Sequence, residues 1–296
     1  IVGGGPAGLT AAIYAVRKRL NFLLVSQDWG GKTNFGLSLP DTDMQQVVRG
    51  LELVDKFRRE LEYLEFARHV ATVTTIDKKD HLFTVKTSAG VELSAKSVIF
   101  AAGSQVKRLN VPGEQDYLGR GLTYSALSYA PLMVNKQVVV IGDGPLALRA
   151  MAELVQVAAK VNLLMPSRGV LDRALGQKLV HHPKVELWIG YQVEAIMGND
   201  FAQRVRLEAP DGEYVDVVSD CIFVELGLLP NSDPVKGLVE LDEQGRVMID
   251  KRNGTSCLGL FAAGDVTNAY AEQVVIAVGE GAKAALSAYE YLLTTF

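Results

Sequence analysis

Apolar and polar positions along this chain switch between helical spacing and strand alternation, and the switches mark its elements. Leu9-Thr10-Ala11-Ala12-Ile13-Tyr14-Ala15-Val16 reads as an Ala-rich helix, and Phe22-Leu23-Leu24-Val25 as a buried parallel strand. Together they predict the start of a βαβ unit. From Met44 to Leu64, apolar residues recur at helical spacing opposite a charged face, which predicts a surface helix. Period-2 runs such as Leu82-Phe83-Thr84-Val85, broken at Ser88-Ala89-Gly90, predict a small antiparallel ribbon over 68–96. Val98-Ile99-Phe100-Ala101-Ala102-Gly103 is an apolar strand ending at a glycine.

The pattern then starts again. Gln137 to Ile141 reads as a β-branched strand, followed by Gly142-Asp143-Gly144-Pro145-Leu146-Ala147 and a helix over Leu148 to Ala159. A strand over Val161 to Leu164, a helix near 171–180, a strand over Val185 to Trp188 and a hairpin at Asp211-Gly212 follow. Ile222-Phe223-Val224 is a further buried strand. Leu260-Phe261-Ala262-Ala263-Gly264-Asp265 and a long apolar helix from Gln273 to Leu293 close the chain. The repeat is at domain scale: two dinucleotide-type units whose first glycines, Gly3 and Gly142, are 139 residues apart (142 − 3).

Composition narrows the classes. At 296 residues the chain suits about two domains. A net charge of −4 argues against a dedicated nucleic-acid binder. No stretch approaches the roughly 18 uninterrupted apolar residues of a membrane span. The chain opens on Ile1-Val2 with no basic leader, so a cytoplasmic protein is expected, with residues upstream of Ile1 in the full protein. The two cysteines, Cys221 and Cys257, lie 36 apart (257 − 221) and make neither a CxxC pair nor a zinc-ligand cluster. Each is expected as a buried small hydrophobe in or beside a strand of the first domain. No metal site is expected.

Two turns carry the candidate chemistry. Gly3, Gly5 and Gly8 form G-x-G-x-x-G between a strand and a helix, where glycines allow a tight turn and backbone approach to a pyrophosphate. The helix N-terminus, starting at Pro6 and Ala7, offers unpaired N–H groups to the phosphates. A ribose contact falls to Ser26 or Asp28, and Gly30-Gly31-Lys32 follows. Asp265 can bind a ribityl hydroxyl or the phosphate region, and the helix start at Gln273-Val274 can face a flavin's N1–C2=O edge. Gly142, Gly144 and Ala147 form the second turn, G-x-G-x-x-A. Its next strand ends Met165-Pro166-Ser167-Arg168, with neither the acid suited to NAD nor the arginine cluster suited to NADP. Trp29, Tyr124 and Tyr129 are candidates to stack on a flavin or nucleotide.

Jointly these residues resemble the low-molecular-weight thioredoxin reductases of the pyridine nucleotide-disulfide oxidoreductase superfamily. The match rests on Gly3 to Gly8, Gly30-Gly31, Ala101-Ala102-Gly103, Gly142 to Ala147, Gly259 to Asp265 and the Gln273 helix. The resemblance implies an α/β protein of two Rossmann-like, three-layer ββα domains, the second inserted into the first. An FAD domain would span 1–115 and 231–296, and an NAD(P)H-binding-like domain 116–230. It implies a homodimer. The implied cofactor residues are Gly3, Gly5, Pro6, Ala7, Gly8, Ser26, Gly31, Lys32, Ala102, Gly103, Gly264, Asp265, Gln273 and Val274. The second nucleotide site would use Gly142, Gly144, Pro145, Leu146, Ser167 and Arg168.

One departure bears directly on function. Where that family has its redox CxxC followed by an acid, this chain has Ser125-Ala126-Leu127-Ser128-Tyr129. A hydroxyl cannot cycle through a disulfide. Pro166-Ser167 likewise stand where the family has paired arginines for NADPH. The expected function is an FAD-dependent oxidoreductase that passes electrons between FAD and NAD(P)H, ferredoxin or a second flavin. The alternative is a non-catalytic flavin- or nucleotide-binding sensor, a partner-binding relic of the reductase fold.

Overall fold

The computed structural model describes residues 1–40, 50–61 and 67–296. The first elements are α1 (Pro6–Arg17), β1 (Leu24–Val25), α2 (Gly50–Leu61), β2 (Arg68–His69), β3 (Val73–Lys79), β4 (Leu82–Thr87), β5 (Glu92–Ala95), β6 (Val98–Phe100) and β7 (Ser104–Val106). Next come α3 (Glu114–Tyr117), β8 (Leu122–Thr123), α4 (Ala126–Tyr129), β9 (Gln137–Ile141), α5 (Pro145–Val157), β10 (Lys160–Met165), α6 (Ala174–Val180) and β11 (Val185–Ile189). The chain ends with β12 (Gln192–Gly198), β13 (Ala202–Glu208), β14 (Tyr214–Val218), β15 (Cys221–Val224), β16 (Leu228–Pro230), β17 (Leu260–Ala262) and α7 (Val274–Thr295). Of the surface helix expected over Met44–Leu64, the two ends lie outside the described residues.

The chain divides into two compact units: Ile1–Asn34, Arg49–Gln105 and Leu229–Phe296 in the first, Phe35–Val48 and Val106–Leu228 in the second. In the first unit, Val2 bridges in parallel to both Phe100 and Val25. It thereby joins the parallel pairs β1–β2 and β6–β17 into one sheet. The antiparallel ribbon β3-β4-β5 covers one face, where Ile76, Phe83 and Val85 meet Val2, Val25 and Phe100. Helices α1 and α7 cover the other, against Ile99, Ala101, Phe261 and Ala263. Small residues decide how closely these helices approach: a Cβ on Gly281 of α7 would overlap the Ala7 carbonyl of α1. Pro6 fits the first turn of α1 because its φ is pre-set and its missing N–H is not needed there.

The second unit repeats the plan. Five parallel strands run in the order β11-β10-β9-β15-β8. The ribbon β12-β13-β14 packs Ile196, Val205, Leu207 and Val217 on one face of the sheet. Helix α5 packs Ala147, Leu148, Met151, Leu154 and Val155 on the other. Both units are therefore three-layer ββα sandwiches, as the resemblance implies.

The passages between units lie elsewhere than the resemblance implied. Residues 106–115, read above as part of the first domain, belong to the second unit. The cause is Glu114, which is 1% exposed. Its carboxylate accepts Leu109 N (2.9 Å), Asn110 N (2.8 Å) and the Tyr124 hydroxyl (3.0 Å), folding the segment onto β8. Cys221 also departs from expectation. It opens β15 of the second unit, in register with Val138, and is not part of the first domain. Cys257 does lie in the first unit but is only half-buried.

Both thiols are free. Burial pushes the Cys221 thiol far above its usual range and the Cys257 thiol upward as well. An aromatic disulfide reagent is therefore expected to label Cys257 slowly in the native protein and Cys221 only on unfolding. Fast native labelling of both thiols, followed by visible absorbance, would contradict this packing.

Candidate functional site

In the first unit, the three glycines of the Gly3–Gly8 turn are required for different reasons. Gly3 has φ +107, and a Cβ there would overlap Ala101 O. A Cβ on Gly8 would overlap Gly3 O. Gly5 is ordinary extended backbone (φ −75, ψ −178), and a Cβ there would meet nothing within 4 Å. The fold thus demands Gly3 and Gly8, whereas Gly5 leaves open a gap at the N-terminus of α1. The first intrahelical bond is Leu9 N to Gly5 O (2.9 Å), so the amides of the opening turn are not used within the helix. No acid lies in that turn, and its partial positive charge is left uncompensated there.

Several loop segments gather around this gap. Gly30 N donates to Gly4 O (2.7 Å), and a Cβ on Gly31 would lie 3.5 Å from Gly5 Cα. Gly264, with φ +78, packs against Ala7, 3.0 Å from the Ala7 Cβ to its own added Cβ. Lys32 Nζ lies 2.7 Å from Asp265 Oδ2 and donates to Ser104 Oγ (2.9 Å). The carbonyls of Ala102 and Gly103 accept from the side chain (2.8 Å) and backbone (3.0 Å) of Asn231. Of the two ribose candidates, Ser26 is buried and donates to Asp28 O (2.5 Å), while Asp28 is exposed. Beside it, His69 Nε2 is buried without a hydrogen-bond partner, and His69 O accepts from Ser26 N (3.1 Å). Trp29 lies under the Arg68 guanidinium, 4.7 Å from carbon to ring centroid.

Helix α7 begins with Gln273 as its N-cap in extended conformation. Its first turn, from Val274, likewise has no acid. One residue of this helix escaped the sequence reading. Glu280, 9% exposed, accepts from Gly264 N (2.7 Å) and the Thr267 hydroxyl (3.4 Å). It locks the Gly264-Asp265 corner to α7, and burial raises the pKa of its carboxyl. The available signal was a single acid on an otherwise small and apolar helix face.

In the second unit, a Cβ on Gly142 would overlap Glu225 O and press the Ala147 methyl at 3.2 Å. Gly144, like Gly5, is extended with open space where a Cβ would sit. Pro145 and Leu146 open α5. Ser167 donates to Asp143 Oδ2 (2.7 Å), while Arg168 is exposed. Asp143 was not singled out from sequence; its place between two glycines was the signal. Ser125 Oγ donates to Ser128 Oγ (2.8 Å). The segment is anchored by Glu225, 7% exposed, whose Oε1 accepts Ala126 N (2.7 Å). Tyr129 donates to Phe35 O (3.3 Å), and burial raises its phenol pKa.

A model of the pyridine nucleotide-disulphide oxidoreductase family matches residues 1–281. The chain belongs to this family. Its oxidoreductases use FAD and NAD(P)H, the cofactors implied by the resemblance above. Among curated relatives, the alkyl hydroperoxide reductase subunit designated F in Pseudomonas putida is 37% identical over 306 aligned residues, covering 100% of this chain and 58% of that protein. Its counterpart in Pseudomonas aeruginosa is 36% identical with the same coverage. The chain thus spans about three-fifths of the length of these relatives. Thioredoxin reductase from Streptococcus pyogenes superposes with a TM-score of 0.89 at 30% identity, covering 99% of this chain and 97% of that one. The Giardia duodenalis enzyme gives 0.87 at 26%, with the same coverage. Among the described residues no helix is long and apolar enough to cross a membrane, and no group of metal-ligating side chains is present.

The open gap at Gly5 and the uncompensated α1 N-terminus fit the pyrophosphate of a flavin dinucleotide. Gly5→Ala is therefore expected to leave apoprotein stability within about 0.5 kcal/mol while sharply weakening FAD binding, measured by flavin fluorescence quenching. A variant that binds FAD normally would contradict this use of the gap. Glu280 gives a pH signature. Its folded pKa is raised, so between the unfolded and folded values the native state keeps a proton that the unfolded state has lost. Apoprotein stability therefore falls as pH rises through that window. Glu280→Gln is expected to flatten this part of the denaturation-midpoint profile; an unchanged slope would contradict the assignment.

Proposed function

We propose that the chain is an FAD-dependent oxidoreductase whose flavin exchanges electrons with partners outside the chain and not with an internal dithiol. The observation that carries the reading is the Ser125–Ser128 hydroxyl pair, standing where thioredoxin reductases have their redox cysteines, in a chain whose flavin-type turn is structurally complete. Bound FAD would supply a two-electron carrier. In this reading the first unit is the FAD domain. The amides at Ala7 and Gly8 would hold the pyrophosphate beside Gly5 and Gly31, Ser26 the ribose, and Asp265 with Lys32 the phosphate–ribityl region. Ala102 and Gly103 would line the site with backbone, and the amides after Gln273, from Val274, would stabilise negative charge on a reduced flavin.

The second unit is the pyridine-nucleotide domain. Gly142, Gly144, Pro145 and Leu146 receive the pyrophosphate, and Ser167 with Arg168 the adenosine end. NAD(P)H is then the donor. The acceptor is a second protein, and a ferredoxin or another flavin takes the donor's place if nicotinamides do not react. The hydroxyls of Ser125 and Ser128 bind and orient but cannot exchange with a disulfide, because an alcohol supplies no accessible thiolate equivalent. The similarity to thioredoxin reductases and to the alkyl hydroperoxide reductase relatives supports a homodimer.

Denaturing release and identification of bound cofactor test this most simply. One FAD per chain is expected. Anaerobic addition of NADH or NADPH should bleach the visible flavin band without changing the number of titratable thiols. Bound FAD that no donor reduces would favour a non-catalytic flavin sensor, and two flavins per chain would place the second flavin on the second unit. A colourless protein that does not take up FAD would overturn the proposal.

A further inference from the structure

We propose that Asp143 is a specificity-determining residue of the second unit, delivering from the glycine turn the carboxylate that selects NADH over NADPH. The inference rests on the pyridine-nucleotide reading of that unit and deepens it. In dinucleotide folds an acid at the end of the second strand bonds the adenosine ribose hydroxyls of NAD, whereas an arginine there accommodates the 2′-phosphate of NADP. Strand β10 ends at Met165 and is followed by Pro166, Ser167 and Arg168, with no acid. The acid arrives from the neighbouring turn. β10 pairs with β9 so that Leu164 lies opposite Ile141. Asp143 stands just beyond Ile141 and Ser167 just beyond Met165, and Ser167 Oγ donates to Asp143 Oδ2 at 2.7 Å.

The backbone holds Asp143 there as well. Val170 N donates to Asp143 O (3.2 Å), and Gly169, at φ +49, lies so close that a Cβ on it would overlap the same carbonyl. The loop after β10 therefore closes on both the carbonyl and the carboxylate of Asp143. A carboxylate has about four acceptor sites, and the Ser167 hydroxyl takes one, so the group keeps capacity for ribose hydroxyls. A 2′-phosphate replaces one of those donors with a group carrying about 1.5 to 2 negative charges, which a fixed carboxylate repels. Between Met165 and Gly169 the one cation is Arg168, which is exposed. Asp143 offsets its charge, so the loop offers the phosphate no net attraction. Selectivity then comes from a favourable contact with one ligand and a repulsive contact with the other. The open space at Gly144 and the acid-free first turn of α5 treat both nucleotides alike, because the pyrophosphate is common to them.

The test is calorimetric titration of the purified protein with NAD⁺ and NADP⁺, the oxidised forms, which bind without transferring electrons. The readout is the ratio of the two dissociation constants on one preparation, so a partial loss of folded protein cancels. One charge-assisted contact corresponds to about a ten- to hundredfold change in affinity, and the wild type should bind NAD⁺ tighter than NADP⁺ by about that factor. Asp143→Asn, which keeps the shape and removes the charge, should bring the two constants close to equality, mainly by admitting NADP⁺. Ser167→Arg, which replaces the anchor of the carboxylate with a second cation, should favour NADP⁺. Circular dichroism melts report any folding defect separately. Equal or tighter binding of NADP⁺ by the wild type would overturn the inference with no variant needed, as would an unchanged ratio in either folded variant. Failure of the wild type to bind either nucleotide would overturn the pyridine-nucleotide reading itself.

Discussion

A missing methyl group next to a carbonyl oxygen sets the geometry of the first unit. Gly8 lies so close to Gly3 O that no side chain fits, and Gly3 lies equally close to Ala101 O. These two contacts press the start of α1 onto the ends of the parallel strands. Once α1 is fixed there, its opening amides face the gap at Gly5, and the Gly31 and Gly264 corners close against the same turn. Gly281 repeats the device on α7, where it lets that helix pack against Ala7. The layers, the gap and the loops around it all depend on backbone groups coming closer than any residue but glycine permits.

The second unit uses the same contact with different surroundings. Gly142 abuts Glu225 O, and the third glycine of the first turn is replaced by Ala147, whose methyl just clears Gly142. Glu225 does two jobs: its carbonyl meets the Gly142 turn, and its carboxylate holds Ala126 N at the head of the Ser125–Ser128 segment. The Gly142 turn and the serine pair are therefore positioned by one buried residue. In the proposed function this anchored segment presents two hydroxyls, Ser125 and Ser128, in place of a dithiol.

Much of this was legible in the sequence because the signals were local. Glycine spacing, an apolar strand before each turn and an Ala-rich helix after it are read within about ten residues, and the strands around Gln137–Ile141 and Leu260–Ala262 fell where the pattern put them. Less legible were the features made by distant residues. The reach of Glu114 to Leu109, Asn110 and Tyr124 moved the domain passage. The register of Cys221 with Val138 placed that thiol in the other unit. Glu280 and Asp143 act on segments 16 and 24 residues away, and no periodicity encodes such a contact. The Lys32–Asp265 pair spans the widest gap of all, because the fold brings both ends of the chain to one site.

In the proposed function the flavin is the chain's sole internal electron store. Anaerobic reductive titration of the purified holoprotein with dithionite measures this directly. Full reduction is expected after about two electron equivalents per bound FAD, the capacity of the flavin alone. Consumption of about four, the sum of a flavin and a redox-active disulfide, would contradict it.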